Sequence, residues 1–229
     1  MIRYEITALT FAGYENTPLG NTFYRQAGSP CGLALLLPGL RYTGAMPLLY
    51  YAAHLLLERH TDVLVLDADY TRPAFRTAQR EEQSTWMACD AQSALRAGKS
   101  LREYPRLVLL GKSIGTITLT HLLQGSMLSG DMTAQAITVW LTPLLHQPHL
   151  VTAVLQCKGP SFFACGSADP TYDPAALERI RAATCATAFI APGADHSLEI
   201  PGNIMGSLHI LEEYLQKLAG FLTQAGLEG

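Results

Sequence analysis

The 229-residue sequence has no stretch rich in basic residues, and its 16 lysines and arginines nearly balance 19 aspartates and glutamates. Because nucleic acids are bound by clustered basic side chains, this distribution argues against a nucleic-acid partner. The first residues, 1–11, carry no basic head followed by an apolar run, so we expect no secretory signal. The longest apolar stretches, 32–40 and 47–57, are too short or too interrupted to cross a bilayer, so we expect no membrane span.

Cysteine pairs are also missing, because five cysteines are scattered along the chain and none forms a C-x-x-C motif. This pattern supports neither a disulfide framework nor a zinc site, and it is typical of free thiols in a cytoplasmic protein. Internal repeats, low-complexity tracts and linkers are absent from the sequence as well. Since 48% of the residues are apolar, enough to bury a sizeable core, we expect a single domain over residues 1–229.

Short runs of β-forming residues alternate with longer amphipathic runs over most of the chain. Residues 3–11 and 20–27 predict an opening β-hairpin. Further strands are predicted at 32–40, 62–70, 106–113, 134–143, 161–169 and 187–195, and helices at 46–60, 76–98, 115–125, 148–157, 174–184 and 206–224. The inner strands are nearly continuous apolar runs, which indicates a mostly parallel sheet of α/β class, covered by helices on both faces. In such sheets the functional residues gather at the carboxyl ends of the strands.

The segment RLVLLGKSIGT fits two motifs of different function. A phosphate-binding loop would need a glycine five residues before Gly111, where Arg106 stands, and a glycine-rich loop where the strand-forming LVLL lies. The second motif is G-x-S-x-G, in which a serine lies on a sharp turn from strand to helix. Gly111 and Gly115 would let the chain pass close to itself around Ser113. The context favours Ser113 as a nucleophile with positive φ, and a helix N-cap is the alternative role for this residue.

A nucleophilic serine needs a base to take its proton and a third group to hold that base. Of the seven histidines, His196 follows the last predicted strand, in a loop of small and polar residues. His146 and His149 follow the strand at 134–143 and are its rivals on the same edge of the sheet. The others lie in predicted helices or near the opposite edge: His54, His60, His121 and His209. We therefore predict His196 as the base.

The predicted acid is Asp169, which comes directly after the strand at 161–169. Asp173 lies further out, where it could cap the next helix. Asp195 is adjacent in sequence to the predicted base, and neighbours in sequence rarely face each other's side chains. Asp67 ends a strand on the far side of the nucleophile. Asp169 is therefore the best candidate for holding the imidazole.

Acyl transfer also requires backbone amides that stabilise the oxyanion of the transition state. The first should come from Ile114, directly after the nucleophile, and the second from Leu40, since Gly39 permits a turn there. Arg41 and Tyr42 follow this turn and are predicted to reach the mouth of the site as substrate-binding residues. Arg41 would bind an anionic part of the substrate, and a solvated surface arginine is the alternative.

The motifs LLLPGL, GKSIGT, CGSADP and GADHSLE resemble those of the α/β-hydrolase family in order and spacing, over nearly the whole chain. The resemblance implies an eight-stranded, mostly parallel sheet with an antiparallel second strand and helices on both faces. It also implies a catalytic triad of Ser113, Asp169 and His196. The oxyanion amides would be those of Leu40 and Ile114, and no metal or organic cofactor would be required.

Two features depart from many members of the family. Pro38-Gly39 stands where lipases and esterases often carry His-Gly, so the second oxyanion donor is less well defined. Only residues 144–160 join the strands at 134–143 and 161–169, which leaves room for one short helix instead of a lid domain. The chain thus resembles the small, compact members, whose pockets are shallow and open.

The resemblance implies a serine hydrolase that acts on a small-molecule carboxylic ester or thioester through an acyl-enzyme on Ser113. Two other functions stay open. One is an inactive scaffold that binds a ligand or partner, and the other is an acyltransferase that passes the acyl group to an acceptor other than water. Lys112, inside the elbow motif, receives no role, and we expect its long side chain to snorkel over the helix layer.

Overall fold

A computed structural model describes residues 3–124 and 135–228. Its sheet consists of the strands β1 (Tyr4–Thr7), β2 (Gly20–Gln26), β3 (Gly32–Leu37), β4 (Thr61–Asp67), β5 (Leu107–Lys112), β6 (Ile137–Leu141), β7 (Ser161–Gly166) and β8 (Thr187–Ala191). The helices described around it are α1 (Pro47–Glu58), α2 (Pro73–Thr77), α3 (Arg80–Lys99), α4 (Ile114–Gln124), α5 (Pro148–Gln156), α6 (Pro174–Ala183) and α7 (Ile204–Gln224).

The eight strands lie in the order β1-β2-β4-β3-β5-β6-β7-β8. β2 is antiparallel to β1 and to β4, and every pair from β4 to β8 is parallel. This confirms the predicted α/β class, the opening hairpin and the antiparallel second strand. The sharp turns that end β3, β5, β7 and β8 therefore meet at one edge of the sheet, because parallel strands point the same way.

Alternation along the central strands divides the core into two layers. Ala34 and Leu36 of β3 pack with α1 and α7 on one face of the sheet. Leu33, Leu35 and Leu37 face the other side, where α3, α4, α5 and α6 cover them. All six residues of β3 are buried, and a fully buried leucine contributes about 1.5–3 kcal/mol relative to an exposed one. The apolar runs in the sequence are therefore explained by burial on both faces.

The structure corrects the predicted helix at 76–98, which is divided into α2 and α3. Ala78 and Gln79 are extended between them, with ψ of 149° and 157°. The helix predicted at 206–224 starts earlier, because Asn203 caps it by accepting a hydrogen bond from the amide of Gly206. Residue 125 of one predicted helix and residue 134 of one predicted strand lie outside the described residues.

The connection from β6 to β7 contains the single short helix α5, which agrees with the predicted absence of a lid at this point. All five cysteines are free, as predicted. In the two described stretches of the chain, no helix has both the length and the apolar composition needed to cross a membrane.

Candidate active site

Ser113 occupies the tight turn between β5 and α4, and its φ of 55° confirms the prediction of a positive value. Such a backbone conformation costs about 1–3 kcal/mol in a residue other than glycine and persists only when the surroundings enforce it. A Cβ on Gly111 would lie 2.6 Å from the carbonyl oxygen of Gly115. A Cβ on Gly115 would overlap the carbonyl oxygen of Leu37. Both glycines are therefore needed for the chain to pass close to itself.

Hydrogen bonds fix the backbone of this turn. The amide of Ser113 donates to the carbonyl oxygen of Leu141 at 3.0 Å. Its own carbonyl oxygen accepts from the amide of Thr116 at 2.9 Å and from the Thr116 hydroxyl at 2.6 Å. β5 runs unbroken up to Lys112, so the positions that a phosphate-binding loop would require are part of a strand. The phosphate-loop interpretation is therefore excluded.

The turns after β5, β7 and β8 bring Ser113, Asp169 and His196 into one hydrogen-bonded chain. His196 Nε2 lies 2.8 Å from Ser113 Oγ, and His196 Nδ1 lies 2.7 Å from Asp169 Oδ2. An ionised carboxylate can only accept a hydrogen bond. His196 Nδ1 therefore carries the proton and donates a hydrogen bond to Asp169. Nε2 is then left to accept the hydrogen bond that the Ser113 hydroxyl donates. Three residues far apart in sequence thus meet as the sequence predicted.

Asp169 is 5% exposed and is held as an anion by its neighbours. Burial alone would raise the pKa of this carboxyl, but hydrogen bonds from His196 and from Thr171 outweigh it and lower the pKa below its usual value. The amide and the hydroxyl of Thr171 each donate to Asp169 Oδ1 at 2.8 Å. Sequence reasoning missed Thr171, although a threonine two residues after an aspartate is a recognisable turn pattern.

The loops that carry Asp169 and His196 are joined to each other by backbone contacts. The amide of Ala168 donates to the carbonyl oxygen of Ala194 at 2.9 Å, and that of Ser167 to the carbonyl oxygen of Ala191 at 3.0 Å. The amide of Gly193 donates to the Ser167 hydroxyl at 2.8 Å. These bonds fix the two loops relative to each other, and so they fix the distance between the imidazole and the carboxylate.

The rival histidines lie elsewhere. His146 pairs with the side chain of Gln147. His149 is at the start of α5 beside His121, which itself makes a hydrogen bond of 3.1 Å to the Ser84 hydroxyl. Among the described residues, His196 is therefore the histidine that lies within hydrogen-bond distance of Ser113.

The rival carboxylates also have other partners. Asp173 caps α6 by accepting from the amide of Ala176 at 2.9 Å, as the sequence suggested. Asp195 accepts from the amide of Ser197 within its own loop at 2.7 Å. Asp67 ends β4, and burial raises its pKa. The structure therefore leaves Asp169 as the carboxylate on the imidazole.

The two predicted oxyanion amides flank Ser113. Ile114 is the first residue of α4, so its amide has no acceptor within the helix. Leu40 lies in a turn closed by Gly39 and Tyr42, whose amides donate to each other's carbonyl oxygens at 3.1 and 3.2 Å. A Cβ on Gly39 would lie 3.3 Å from the Cβ of Ser113, so this turn adjoins the elbow. In the part of the chain that the structure describes, neither predicted amide donates a hydrogen bond, and both are available to an acceptor.

The two residues after Leu40 differ in position. Arg41 is exposed and has a φ of 61°. Tyr42 is only 7% exposed, and its hydroxyl accepts from the amide of Leu48 at 3.0 Å. The expectation that Tyr42 reaches the mouth of the site is therefore wrong, because its ring packs in the layer under α1. Arg41 alone of this pair can meet a substrate.

Lys112, the residue before Ser113, is buried with 1% of its surface exposed. Its Nζ donates to the backbone carbonyl oxygen of His196 at 2.9 Å and lies 4.8 Å from the centre of the Tyr42 ring. Burial lowers the pKa of Lys112 to about 8, although Asp169 and Asp195 act in the opposite direction. The expectation that this side chain snorkels to solvent is wrong, because its amine finds a partner inside the site.

A cavity of about 270 Å³ lies between the turn after β3 and the loop after β4. Its lining includes Leu40 and Arg41 on one side and Asp67, Asp69 and Tyr70 on the other. The cavity includes Gly39, whose Cβ position would lie 3.3 Å from the Cβ of Ser113, so it adjoins the turn beside the elbow, although Ser113 itself is not part of its lining. Its charges are mixed, with one arginine and two carboxylates.

Solved structures with a similar fold include an esterase from Pyrococcus furiosus, at 14% identity and a TM-score of 0.69, over 96% of this chain and 93% of that chain. A dienelactone hydrolase from Anabaena variabilis matches at 17% identity and a TM-score of 0.63, over 96% and 98% of the two chains. An α/β serine hydrolase homologue from Coxiella burnetii matches at 15% identity and a TM-score of 0.65, over 93% and 97%.

No protein-family model and no curated protein sequence matches the chain. The structural likeness extends over nearly the full length of each partner, and the sheet has the predicted eight strands, mostly parallel, with β2 antiparallel. The chain therefore has the α/β-hydrolase fold. At these identities the likeness concerns the fold, and the chemistry must be argued from the side chains of this site.

Proposed function

We propose that this protein is a serine hydrolase that cleaves a carboxylic ester or thioester through an acyl-enzyme on Ser113. The observation that carries the proposal is the hydrogen-bonded chain from Ser113 through His196 to Asp169, with distances of 2.8 and 2.7 Å. A serine hydroxyl is a poor nucleophile unless a base stands within such reach of it. The esterase and hydrolase structures that share the fold support the same chemistry.

In the proposed first step, Ser113 Oγ attacks the carbonyl carbon of the substrate while His196 Nε2 takes the hydroxyl proton. The carbonyl π electrons move to oxygen and form a tetrahedral oxyanion. Asp169 stays ionised and stabilises the imidazolium. His196 then gives the proton to the leaving alcohol or thiol as its bond to carbon breaks, and the acyl group remains on Ser113.

The second half repeats this sequence with water. His196 takes a proton from a water molecule while the water oxygen attacks the acyl carbon. The proton then passes from His196 to Ser113 Oγ as the bond from Oγ to the acyl carbon breaks and the acid departs. In both halves the oxyanion would accept hydrogen bonds from the amides of Leu40 and Ile114. Removing one such donor costs about 2.7–4 kcal/mol of transition-state stabilisation in other acyl-transfer enzymes.

The cavity beside Leu40 is the space that we propose for the acyl group of the substrate. Its volume of about 270 Å³ is at or below the range of roughly 300–1,000 Å³ that is usual for small-molecule sites. We therefore expect short acyl groups to be turned over faster than long ones. A series of p-nitrophenyl esters of increasing acyl length measures this directly, and kcat/KM that keeps rising with length would contradict it.

The proposal is tested by labelling the folded protein with a fluorophosphonate probe, which reacts with an activated serine. We expect wild-type protein to be labelled and Ser113→Ala to be unlabelled. Ser84→Ala is a matched control, because Ser84 also makes a hydrogen bond to a histidine, His121. It should be labelled like the wild type.

The same experiment separates the alternatives. If the folded wild type is not labelled, Ser113 is not activated and a non-catalytic binding scaffold is favoured. If Ser113 is labelled but no ester or thioester is hydrolysed, acyl transfer to an acceptor other than water is favoured.

A further inference from the structure

We propose that Lys112 is a positioning residue whose buried ammonium holds the backbone carbonyl of His196 and so keeps the imidazole directed at Ser113. This inference rests on the proposed function, because it assigns a role within the same site. It goes beyond the triad and the oxyanion amides, which do not involve the lysine side chain.

The geometry joins two loops that are distant in sequence. Lys112 is the last residue of β5 and is covalently attached to Ser113. Its Nζ donates to the carbonyl oxygen of His196 at 2.9 Å, across 84 positions of sequence. The nucleophile is thus tied to the base twice, once through the side chains of Ser113 and His196 and once through this bond. A shift of the His196 loop would have to break both.

The surroundings of the ammonium are suited to a positive charge. The ring of Tyr42 lies 4.8 Å away and offers its negative face to a cation. Asp169 and Asp195 attract the charge from the loops after β7 and β8. These groups offset part of the cost of removing an ammonium from water, which amounts to several kcal/mol for an unpaired buried ion.

An apolar side chain of similar length would fill the same volume without that cost. Replacing buried ionic groups by well-packed apolar ones is often neutral or stabilising. What Lys112 adds over such a side chain is therefore the donated hydrogen bond and the positive charge. Both are directed at the loop that carries His196, so positioning of that loop is the function that the buried lysine explains.

The charge on Lys112 gives this role a pH dependence. Burial lowers the pKa of Lys112 to about 8 against the opposing effect of Asp169 and Asp195. The carbonyl oxygen of His196 and the ring of Tyr42 also face the amine. Burial raises the pKa of Tyr42 to about 12, so Tyr42 stays neutral. As the pH rises past about 8, the charge-assisted bond weakens to one from a neutral amine. We expect kcat to fall over this interval.

The test compares Lys112→Met, an unbranched side chain one atom shorter that removes the donor, with Lys112→Gln, which keeps an N–H donor without charge. We expect Lys112→Met to lower kcat by about 10- to 100-fold with little change in KM, since small misplacements of catalytic groups have effects of this order. Lys112→Gln should recover part of the loss. Both variants should lack the fall in kcat above pH 8. Lys158→Met, at an exposed lysine, is the matched control and should behave as wild type.

A second measurement does not depend on turnover. The proton on His196 Nδ1, which forms the hydrogen bond to Asp169, should give a resonance far downfield of the amide region in the NMR spectrum. We expect it in the wild type and expect it lost or shifted in folded Lys112→Met. If the wild type hydrolyses no ester or thioester, the proposed function fails, and this spectrum alone judges the positioning role.

The inference is overturned if Lys112→Met folds, keeps wild-type kcat across the pH range and leaves the downfield resonance unchanged. It is also overturned if Lys158→Met shows the same loss, because the effect would then not belong to the site.

Discussion

The two sides of Ser113 are held in different ways. On the side of β7 and β8, the side chains of Asp169 and His196 sit in loops cross-linked by backbone hydrogen bonds and by contacts from Thr171 and Lys112. On the side of β3 and β4, the turn at Leu40 is closed by hydrogen bonds between Gly39 and Tyr42, and Leu40 and Arg41 at its tip are exposed to solvent. The proton-carrying groups are thus fixed, whereas the surface that would meet a substrate is open.

This difference has a physical cause. A proton relay requires donor–acceptor distances near 2.8 Å, and buried polar groups without partners are costly, so the side chains of Asp169, His196 and Lys112 each have a defined partner. An oxyanion donor must instead keep its amide unpaired until the substrate arrives. Unpaired amides are tolerated where water can reach them, as at the exposed Leu40. Order on one side and exposure on the other therefore agree with the two tasks that we propose for them.

The largest expected effect is that of Asp169→Asn on the fixed side. An amide in place of the carboxylate can donate to Nδ1, which moves the imidazole proton to Nε2 and removes the acceptor that Ser113 needs. We expect kcat to fall by about 10⁴-fold, as found for this change in another serine-hydrolase triad. Ester hydrolysis at neutral pH measures it. Asp173→Asn is the control, because asparagine also caps helices well. A loss below about tenfold for Asp169→Asn would argue against the relay.

The next largest effect is the cost in stability of burying the charged Lys112. The pKa of Lys112 is about 8 in the folded protein and 10.5 as its ordinary value. Below pH 8 Lys112 is protonated in both the folded and the unfolded protein, so the cost of burying its charge does not change with pH. Between the two values the unfolded chain binds the proton more strongly, so the free energy of unfolding must rise with pH. At 1.36 kcal/mol per pKa unit, the total rise is about 3 kcal/mol.

Urea unfolding of wild type and Lys112→Met at several values between pH 7 and pH 11 measures this contribution. Other titrating groups largely cancel in the difference between the two proteins. Between pH 7 and pH 11 we expect the free energy of unfolding of the wild type to rise by about 3 kcal/mol relative to that of Lys112→Met. A difference that stays constant with pH would show that Lys112 titrates normally and is not held as a buried cation.

Much of the fold and of the triad follows from the sequence, because the controlling interactions are local. A run such as LALLL is apolar at every position since it is buried on both faces, and the glycines around Ser113 are needed by a turn of a few residues. Ser113, Asp169 and His196 then meet because the parallel strands β5, β7 and β8 end at the same edge of the sheet.

The residues that sequence reasoning misplaced depend on partners that lie outside the short motifs in which they were found. Lys112 can be buried because a carbonyl group 84 residues later accepts a hydrogen bond from its amine, and no local pattern contains that partner. Tyr42 can be buried under α1 because its hydroxyl accepts a hydrogen bond from the amide of Leu48. The break at Ala78 likewise carries no proline or glycine signal. Substrate contacts are the hardest to predict, since the open turn at Leu40 has few neighbours that constrain it.

The smallest effect is expected on the open side, for Arg41→Ala. Arg41 is exposed, and the cavity that it lines also contains Asp67 and Asp69, whose charges oppose the binding of an anion. We expect kcat/KM to change by less than about threefold for neutral and for anionic esters alike, because an exposed charge is weakly coupled to its surroundings. Arg179→Ala, at an exposed arginine on α6, is the control. A tenfold or larger loss confined to anionic esters would instead assign Arg41 to recognition of a carboxylate, and the open side would then contain a defined binding group.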